Sequence, residues 1–327
     1  MNIEQLKDKI FTIKSDTDFN DIALEIFHFQ YAQNQVYHQY VDLIQSKISG
    51  ITHYSKIPFL PIEFFKSQKI ICNNTMPEKV FSSSGTTGST ASKHYVADLS
   101  LYEKSFLAGF DLFYGNPEQF IILALLPSYL ERKDSSLVFM TEKLIKLSKH
   151  SSSGFYLQNY NALVKMLSGS SGQKVFLIGV TYALLELAEK YKIPDFNGII
   201  METGGMKGRR KEIIREELHT ILRQGFHVAK IHSEYGMTEL LSQAYSKGNG
   251  IFKTPPWMKV LIRDTNDPKS LLGDHRTGGI NIIDLANIYS CSFIATQDLG
   301  KTHTDGSFEV LGRFDNSDIR GCNLMTG

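Results

Sequence analysis

The sequence predicts a mixed α/β fold in which a large domain built on mixed sheets is flanked by helices and followed by a smaller, mainly antiparallel sheet. Three observations predict it. Short β-rich runs alternate with helical stretches between Ile51 and Gly250, the pattern of strands joined through helices. After Ile251 the β-rich runs are Gly-bounded and have no helices between them. At 327 residues and 42% hydrophobic content, the chain has the length of one large domain or two packed subdomains, with apolar residues enough for a sizeable core.

Along the chain, Ile22, Ile26, Phe29, Val36, Tyr40 and Ile44 recur at helical spacing, so residues 1–50 are expected to be a mostly helical N-terminal extension. Residues 51–250 are the expected α/β core, with strands at Val80–Ser82, Tyr95–Ala97, Phe120–Leu126, Val175–Ile178, Gly198–Met201 and His227–Ile231. Helices are expected at Thr181–Lys192 and at Lys207–Gln224, the second stopped by Gly225. Residues 251–316 form the smaller β-rich subdomain, with strands at Met258–Ile262, Gly279–Asp284, Ser292–Ala295 and Phe308–Leu311. Residues 317–327 are a tail carrying Cys322.

Composition narrows the function. Thirty-five Lys and Arg against 34 Asp and Glu leave a formal charge of +1, which offers no field for gathering nucleic acid or an anionic membrane. The basic run Lys207–Arg215 is interleaved with Glu212, Glu216 and Glu217 and reads as a solvated helix face. The ten histidines have no metal-binding spacing, and His232 reads as structural. Three cysteines, Cys72, Cys291 and Cys322, make no CxxC pair, which fits a reducing, cytoplasmic location. The start MNIEQLKDKIF has no apolar signal core, and the longest apolar run, Phe120–Leu126, is closed by Pro127, so neither export nor a membrane span is expected.

The most informative stretch is FSSSGTTGSTASK, Phe81–Lys93, which places nine Ser, Thr or Gly residues from Ser82 to Thr90 behind a β-run. Glycines let backbone N–H groups turn inward, and the hydroxyls add donors for a phosphate. It is not a Walker A loop, because no G-x-x-x-x-G-K-[ST] fits and the residues that follow are strand-like.

Ser84, Gly85, Thr86, Thr87 and Gly88 resemble the phosphate loop of the adenylate-forming superfamily, which includes acyl- and aryl-CoA ligases. Further matches follow in order. Gly204 and Gly205 resemble the segment that closes over adenine. Tyr235-Gly236-Met237-Thr238-Glu239 resembles the aromatic-Gly-x-Thr-Glu motif, Thr296-Gln297-Asp298-Leu299-Gly300 the ribose-binding motif, and Gly312-Arg313-Phe314-Asp315-Asn316 the hinge. The resemblance implies ATP and Mg²⁺ as cofactors. Tyr235 would lie against adenine, Thr238 would bond the α-phosphate, Glu239 would be the metal ligand, and Asp298 and Arg313 would bind the ribose. Departures are Gln297 where the family has Gly, and Ala91 where its loop lysine is expected, with Lys93 further on.

The tail Arg320-Gly321-Cys322-Asn323-Leu324, so soon after the hinge, resembles the acyl-protein synthetases of the bacterial bioluminescence fatty acid reductase type. That resemblance implies a fold without the family's mobile C-terminal domain. It also implies ATP-dependent activation of a carboxylic acid, expected to be a fatty acid, to acyl-AMP with pyrophosphate released, and then transfer to Cys322 as a thioester. An acyl reductase or acyl-accepting protein would be the partner. Cysteine suits such a step because its thiolate attacks a mixed anhydride readily. Two alternatives stand beside this one: a catalytically weak nucleotide- or acyl-binding partner, and a minimal acyl-CoA ligase acting with a separate protein.

Overall fold

A computed structural model describes residues 3–45, 47–83, 90–126, 134–169, 172–193, 198–204 and 213–314. It divides into two compact units, one of residues 1–75 with 256–327 and the other of residues 76–255. The N-terminal helices thus belong with the C-terminal sheet, which differs from the expected order of a separate extension, core and subdomain.

The chain opens with α1 (Ile3–Ile10), α2 (Asp16–Gln33) and α3 (Gln35–Ile44), followed by β1 (Leu60–Pro61) and the short α4 (Phe64–Ser67). Ser15 starts α2 with a capping box, its side chain accepting from the Asp18 amide while the Asp18 carboxylate accepts from the Ser15 amide. Asn34 interrupts the expected continuous helix because its carboxamide caps α3, accepting from the Tyr37 amide. The interruption moves the buried positions after it to Tyr37 and Val41, one residue beyond the periodic Val36 and Tyr40.

Next come β2 (Lys79–Ser82), β3 (Lys93–Val96), α5 (Leu99–Tyr114), β4 (Ile121–Leu125), α6 (Ser136–Ser148), β5 (Gly154–Phe155), α7 (Tyr160–Gly169) and β6 (Val175–Val180). They are followed by α8 (Thr181–Lys190), β7 (Gly198–Thr203), α9 (Arg215–Phe226), β8 (His232–Tyr235), β9 (Ala244–Ser246) and β10 (Ile251–Lys253). Strands β5, β4, β6, β7 and β8 pair in parallel, and β9 and β10 extend the sheet antiparallel, so this unit holds the large mixed sheet. β4 and β6 are buried at every position, as parallel strands covered on both faces require.

Two expected boundaries here are corrected. Gly225 lies inside α9, where a side chain would meet Ala188 of α8 at 2.5 Å; it permits close helix approach and does not stop the helix. The stop is His227, whose left-handed backbone (φ 54°) ends the helix, with Val228 bonded back to Arg223. His227–Ile231 is therefore not a strand: Ala229 and Lys230 are exposed, and the strand begins at His232.

The chain then supplies β11 (Met258–Arg263), β12 (Leu271–Leu272), β13 (Gly278–Asp284), β14 (Phe293–Thr302) and β15 (Phe308–Arg313), an antiparallel sheet in the order β12-β11-β13-β14-β15 with β1 parallel to β14. Gln30 of α2 knits the helices to it. Its amide donates to the carbonyls of Asn287 (3.0 Å) and Ile288 (2.9 Å) and to Ser292 Oγ (3.1 Å), and its oxygen accepts from the Ser292 amide (3.0 Å). Gln30→Ala would leave those buried groups unpaired. It is expected to lower stability by about 2–4 kcal/mol, read as a fall in the urea midpoint. An unchanged midpoint would show that the link does not hold this unit together.

No helix among the described residues is long and apolar enough to cross a membrane.

Candidate functional site

The loop candidate Ser84–Gly88, Gly205 and Cys322 lie outside the described residues, but the hairpin that carries the loop is described. β2 and β3 pair antiparallel with Ser82 opposite Lys93, and beyond them the Ser83 amide donates to the Ser92 carbonyl (3.0 Å) while the Ser92 amide donates to Ser83 Oγ (2.9 Å). The residues on either side of the loop are therefore clamped to each other. Lys93 is exposed at the strand end.

Buried His94, beside Lys93, shares a 2.8 Å hydrogen bond between its Nδ1 and the Thr238 carbonyl. This contact joins the base of the hydroxyl-rich loop to the Tyr235–Glu239 segment, 144 residues away in sequence. That segment starts with Tyr235 as the last residue of β8, so Gly236, Thr238 and Glu239 follow the carboxyl end of a parallel strand, where open α/β sheets place their ligands. Gly204 follows the adjacent β7 in a left-handed conformation (φ 69°), and its carbonyl accepts from Thr181 Oγ1 at 2.7 Å. Tyr235, Gly236, Thr238, Glu239 and Gly204 are thus in one unit, and the ends of β7 and β8 stand side by side.

Tyr235 is buried, with its ring edge-on to Phe252 at 5.9 Å, and the Arg215 guanidinium lies 5.0 Å from the centre of the Phe252 ring. Arg215 also approaches Glu202, Nε to Oε1 3.7 Å, and His219 does so at 3.6 Å. Burial alone would push the Glu202 carboxyl up, but hydrogen bonding from His219 and the Arg215 charge hold it below the ordinary carboxylate range. Glu239 is buried as well, its residue only 6% exposed.

Among the described residues no three His, Cys, Asp or Glu side chains gather as a metal site. A single carboxylate such as Glu239 fits Mg²⁺ all the same, because that ion takes one or two carboxylates together with substrate phosphates and water. His232 has a hydrogen-bond partner, the arrangement a structural histidine takes. Its Nδ1 lies 3.2 Å from the Tyr114 hydroxyl, and burial, aided by Lys247 and Lys230, pushes its pKa down to about 4.

In the other unit β14 and β15 bring Asp298 and Arg313 together: they are register partners, with Arg313 Nε 3.2 Å from Asp298 Oδ1. The Asp298 amide donates to Thr296 Oγ1 at 3.1 Å. Gln297, in the place of the resemblance's Gly, reaches out to Glu63 Oε1 at 2.5 Å. Cys72 and Cys291 are buried free thiols, and burial pushes both up to about 12.

His94, Glu202 and Glu234 are not singled out by the sequence, whereas Thr203 is, as the residue that opens the Thr203-Gly204-Gly205 segment. A usable signal existed for Glu202: an acid closing an apolar run that is buried on both faces needs a partner or a purpose. For Glu234 and His94 no local signal exists, since their surroundings come from other strands.

No protein-family model matches the chain, and no curated protein matches it in sequence. Solved structures do match in fold. A 2-hydroxyisobutyryl-CoA ligase, solved in an open conformation with 2-HIB-AMP and CoA, superposes with TM-score 0.66 at 11% identity, covering 96% of this chain and 76% of that one. ATP-bound MatB from Rhodopseudomonas palustris gives 0.56 at 14% identity, covering 72% of this chain. A luciferase-like enzyme from the Zophobas morio mealworm gives 0.51 at 14%, with 72% of this chain covered. This chain spans 47% of the length of that MatB. The likeness is one of fold: the mixed α/β architecture is shared with these solved structures.

Proposed function

We propose that this protein activates a carboxylic acid with ATP. The acid's carboxylate oxygen attacks the α-phosphorus, the bond to the β-phosphate bridging oxygen breaks, and acyl-AMP and pyrophosphate form. The observation that carries the reading is the hydrogen bond from His94 to the Thr238 carbonyl, which joins the β2–β3 hairpin that carries the hydroxyl-rich stretch in sequence to the Thr238–Glu239 turn after β8.

In this reading Ser84–Gly88 cradle the phosphates, Thr238 bonds the α-phosphate, and Tyr235, Gly204 and Gly205 enclose the adenine. Glu239 holds Mg²⁺, which when bound supplies charge that neutralises the phosphate oxygens. Asp298 and Arg313 take the ribose hydroxyls. A charge-assisted hydrogen bond of this kind contributes about 1.5–3 kcal/mol. Asp298→Ala is therefore expected to weaken ATP binding by about tenfold to a hundredfold and to leave the order of preference among acids unchanged. Unaltered ATP affinity in the folded variant would remove Asp298 from the nucleotide site.

The proposal extends to an acyl-protein synthetase in which the acyl group, a fatty acyl group on the resemblance, passes to Cys322. The Cys322 thiolate attacks the acyl carbon, the carbon–sulfur bond forms and AMP leaves. The burial of Cys72 and Cys291, with thiols at about 12, supports assigning the step to the remaining cysteine. An acyl reductase or another acyl acceptor would be the partner. The two free thiols favour the reducing, cytoplasmic location expected from the sequence.

A second reading, an acyl-CoA ligase, is favoured by the fold likeness over 96% of this chain to a ligase solved with CoA. The test common to both is Mg²⁺-dependent pyrophosphate exchange into ATP across short, long and aromatic acids. Exchange with none of them would leave the chain as a binding partner.

A further inference from the structure

The ladder between β13 and β14 is interrupted at the Thr296–Gly300 motif. Gly279 pairs with Leu299 and Asn281 with Ala295, so Ile280 alone faces Thr296, Gln297 and Asp298 of β14. A bulge of this kind breaks the run of ladder bonds and re-aims the side chains within it. Here Gln297 reaches Glu63, and Asp298 meets Arg313 of β15.

Side chains hold the bulge. Arg263, at the end of β11, donates from Nη1 to the Ile280 carbonyl (2.7 Å) and to Asn281 Oδ1 (2.8 Å), and from Nη2 to the Thr296 carbonyl. Thr296 Oγ1 donates to the same Ile280 carbonyl (2.9 Å) and accepts from the Asp298 amide (3.1 Å). Ile280, Asn281 and Thr296 are buried, where a carbonyl without a donor is costly. The Arg263 guanidinium also lies 5.4 Å from the centre of the Phe314 ring, and the Phe314 amide donates to the Gln297 carbonyl (2.8 Å). Gly279 leaves the room for this: a side chain there would meet the guanidinium carbon at 2.5 Å. Arg263 thus touches the chain two residues before Asp298 and one residue after Arg313.

Resting on the acid-activating reading, in which Asp298 and Arg313 take the ribose hydroxyls, we infer that Arg263 is a positioning residue for the nucleotide: its guanidinium holds the β14 bulge and Phe314, and so fixes the Asp298–Arg313 pair that receives the ribose. A planar fork of donors can meet two carbonyls and a carboxamide while lying against a ring. The compact ammonium of a lysine cannot do all of this at once.

The test is calorimetric binding of ATP, 2′-deoxy-ATP and 3′-deoxy-ATP with Mg²⁺, which needs no acid substrate. Wild type is expected to bind ATP at least about tenfold more tightly than one or both deoxy nucleotides, the scale of a lost charge-assisted hydrogen bond. Arg263→Lys is expected to weaken ATP about tenfold and the disfavoured deoxy nucleotide far less, so that the preference falls toward one. Gly279→Ala, which keeps the arginine but fills its room, is expected to do the same. In an Asp298→Ala background Arg263→Lys should cost less than about twofold more, because its effect runs through Asp298. A purely structural role would lower all three affinities alike and add its loss in both backgrounds. Should these variants fail to fold, Phe314→Leu, at a half-exposed ring, reads the same preference through the guanidinium's other contact.

A preference left unchanged in the folded variants, or an equal loss for all three nucleotides, would overturn the assignment. Equal binding of the three by wild type would remove Asp298 from the ribose and the inference with it, even where pyrophosphate exchange shows that acids are activated. A preference that the variants lose, in a protein that exchanges pyrophosphate with no acid, would uphold Arg263 and overturn acid activation. Binding of none of the three would end both.

Discussion

Glu239→Gln is expected to exchange pyrophosphate into ATP at about one hundredth of the wild-type rate, the usual scale for removing one electrostatic stabiliser from a phosphoryl site. The substitution keeps the volume and planarity of the side chain but removes its charge, and a neutral amide oxygen is a poor Mg²⁺ ligand beside triphosphate. Because Glu239 is buried in the turn after β8, whose preceding carbonyl is held by His94, its position is set by the fold. The loss should fall on kcat. Raising Mg²⁺ should recover part of the rate in Glu239→Gln, whereas a folding defect would not respond to the ion. A variant with wild-type rate at low Mg²⁺ would show that Glu239 does not serve the metal.

Cys322→Ser is expected to retain pyrophosphate exchange and to lose all hydroxylamine-sensitive labelling of the protein by radiolabelled acid and ATP. The two half-reactions separate because acyl-AMP formation needs no thiol, whereas acyl transfer needs a thiolate. Cys72 and Cys291 are poor substitutes: burial raises each thiol to about 12, which leaves almost no thiolate near neutral pH, and both sit closed within the fold. Mass spectrometry of the wild-type protein after incubation with acid and ATP would locate the adduct. Label on Cys72 or Cys291 would overturn the assignment of the transfer to Cys322. An unlabelled protein that consumes free CoA would replace it with the acyl-CoA ligase reading.

Local sequence determined a good deal about this protein. The strand–helix alternation up to Gly250 and the Gly-bounded runs after Ile251 announced both sheets, because a side chain's periodicity reports which face of its own element is buried. The Tyr235–Glu239 segment and the hydroxyl-rich stretch after β2 could be proposed from sequence for a similar reason: the residues each would use are contiguous. Helix ends were less so. His227 stops α9 because the backbone there turns left-handed, a choice settled by how α9 and β8 are joined.

Other features were decided only when distant segments met. Gln30 reads as one more polar residue of a helix until the loop at Asn287–Ser292 closes on it. Glu202 and Glu234 are two ordinary acids in sequence. Parallel pairing of β7 and β8 buries Glu202 and sets Glu234 beside it, and the neighbours then drive them apart: His219 and Arg215 hold the Glu202 carboxyl down, while desolvation and the Glu202 charge push Glu234 up to about 7. Burial and charge are sums over everything nearby in space, so a residue's chemistry at such a site is a property of the folded neighbourhood and not of the strand that carries it.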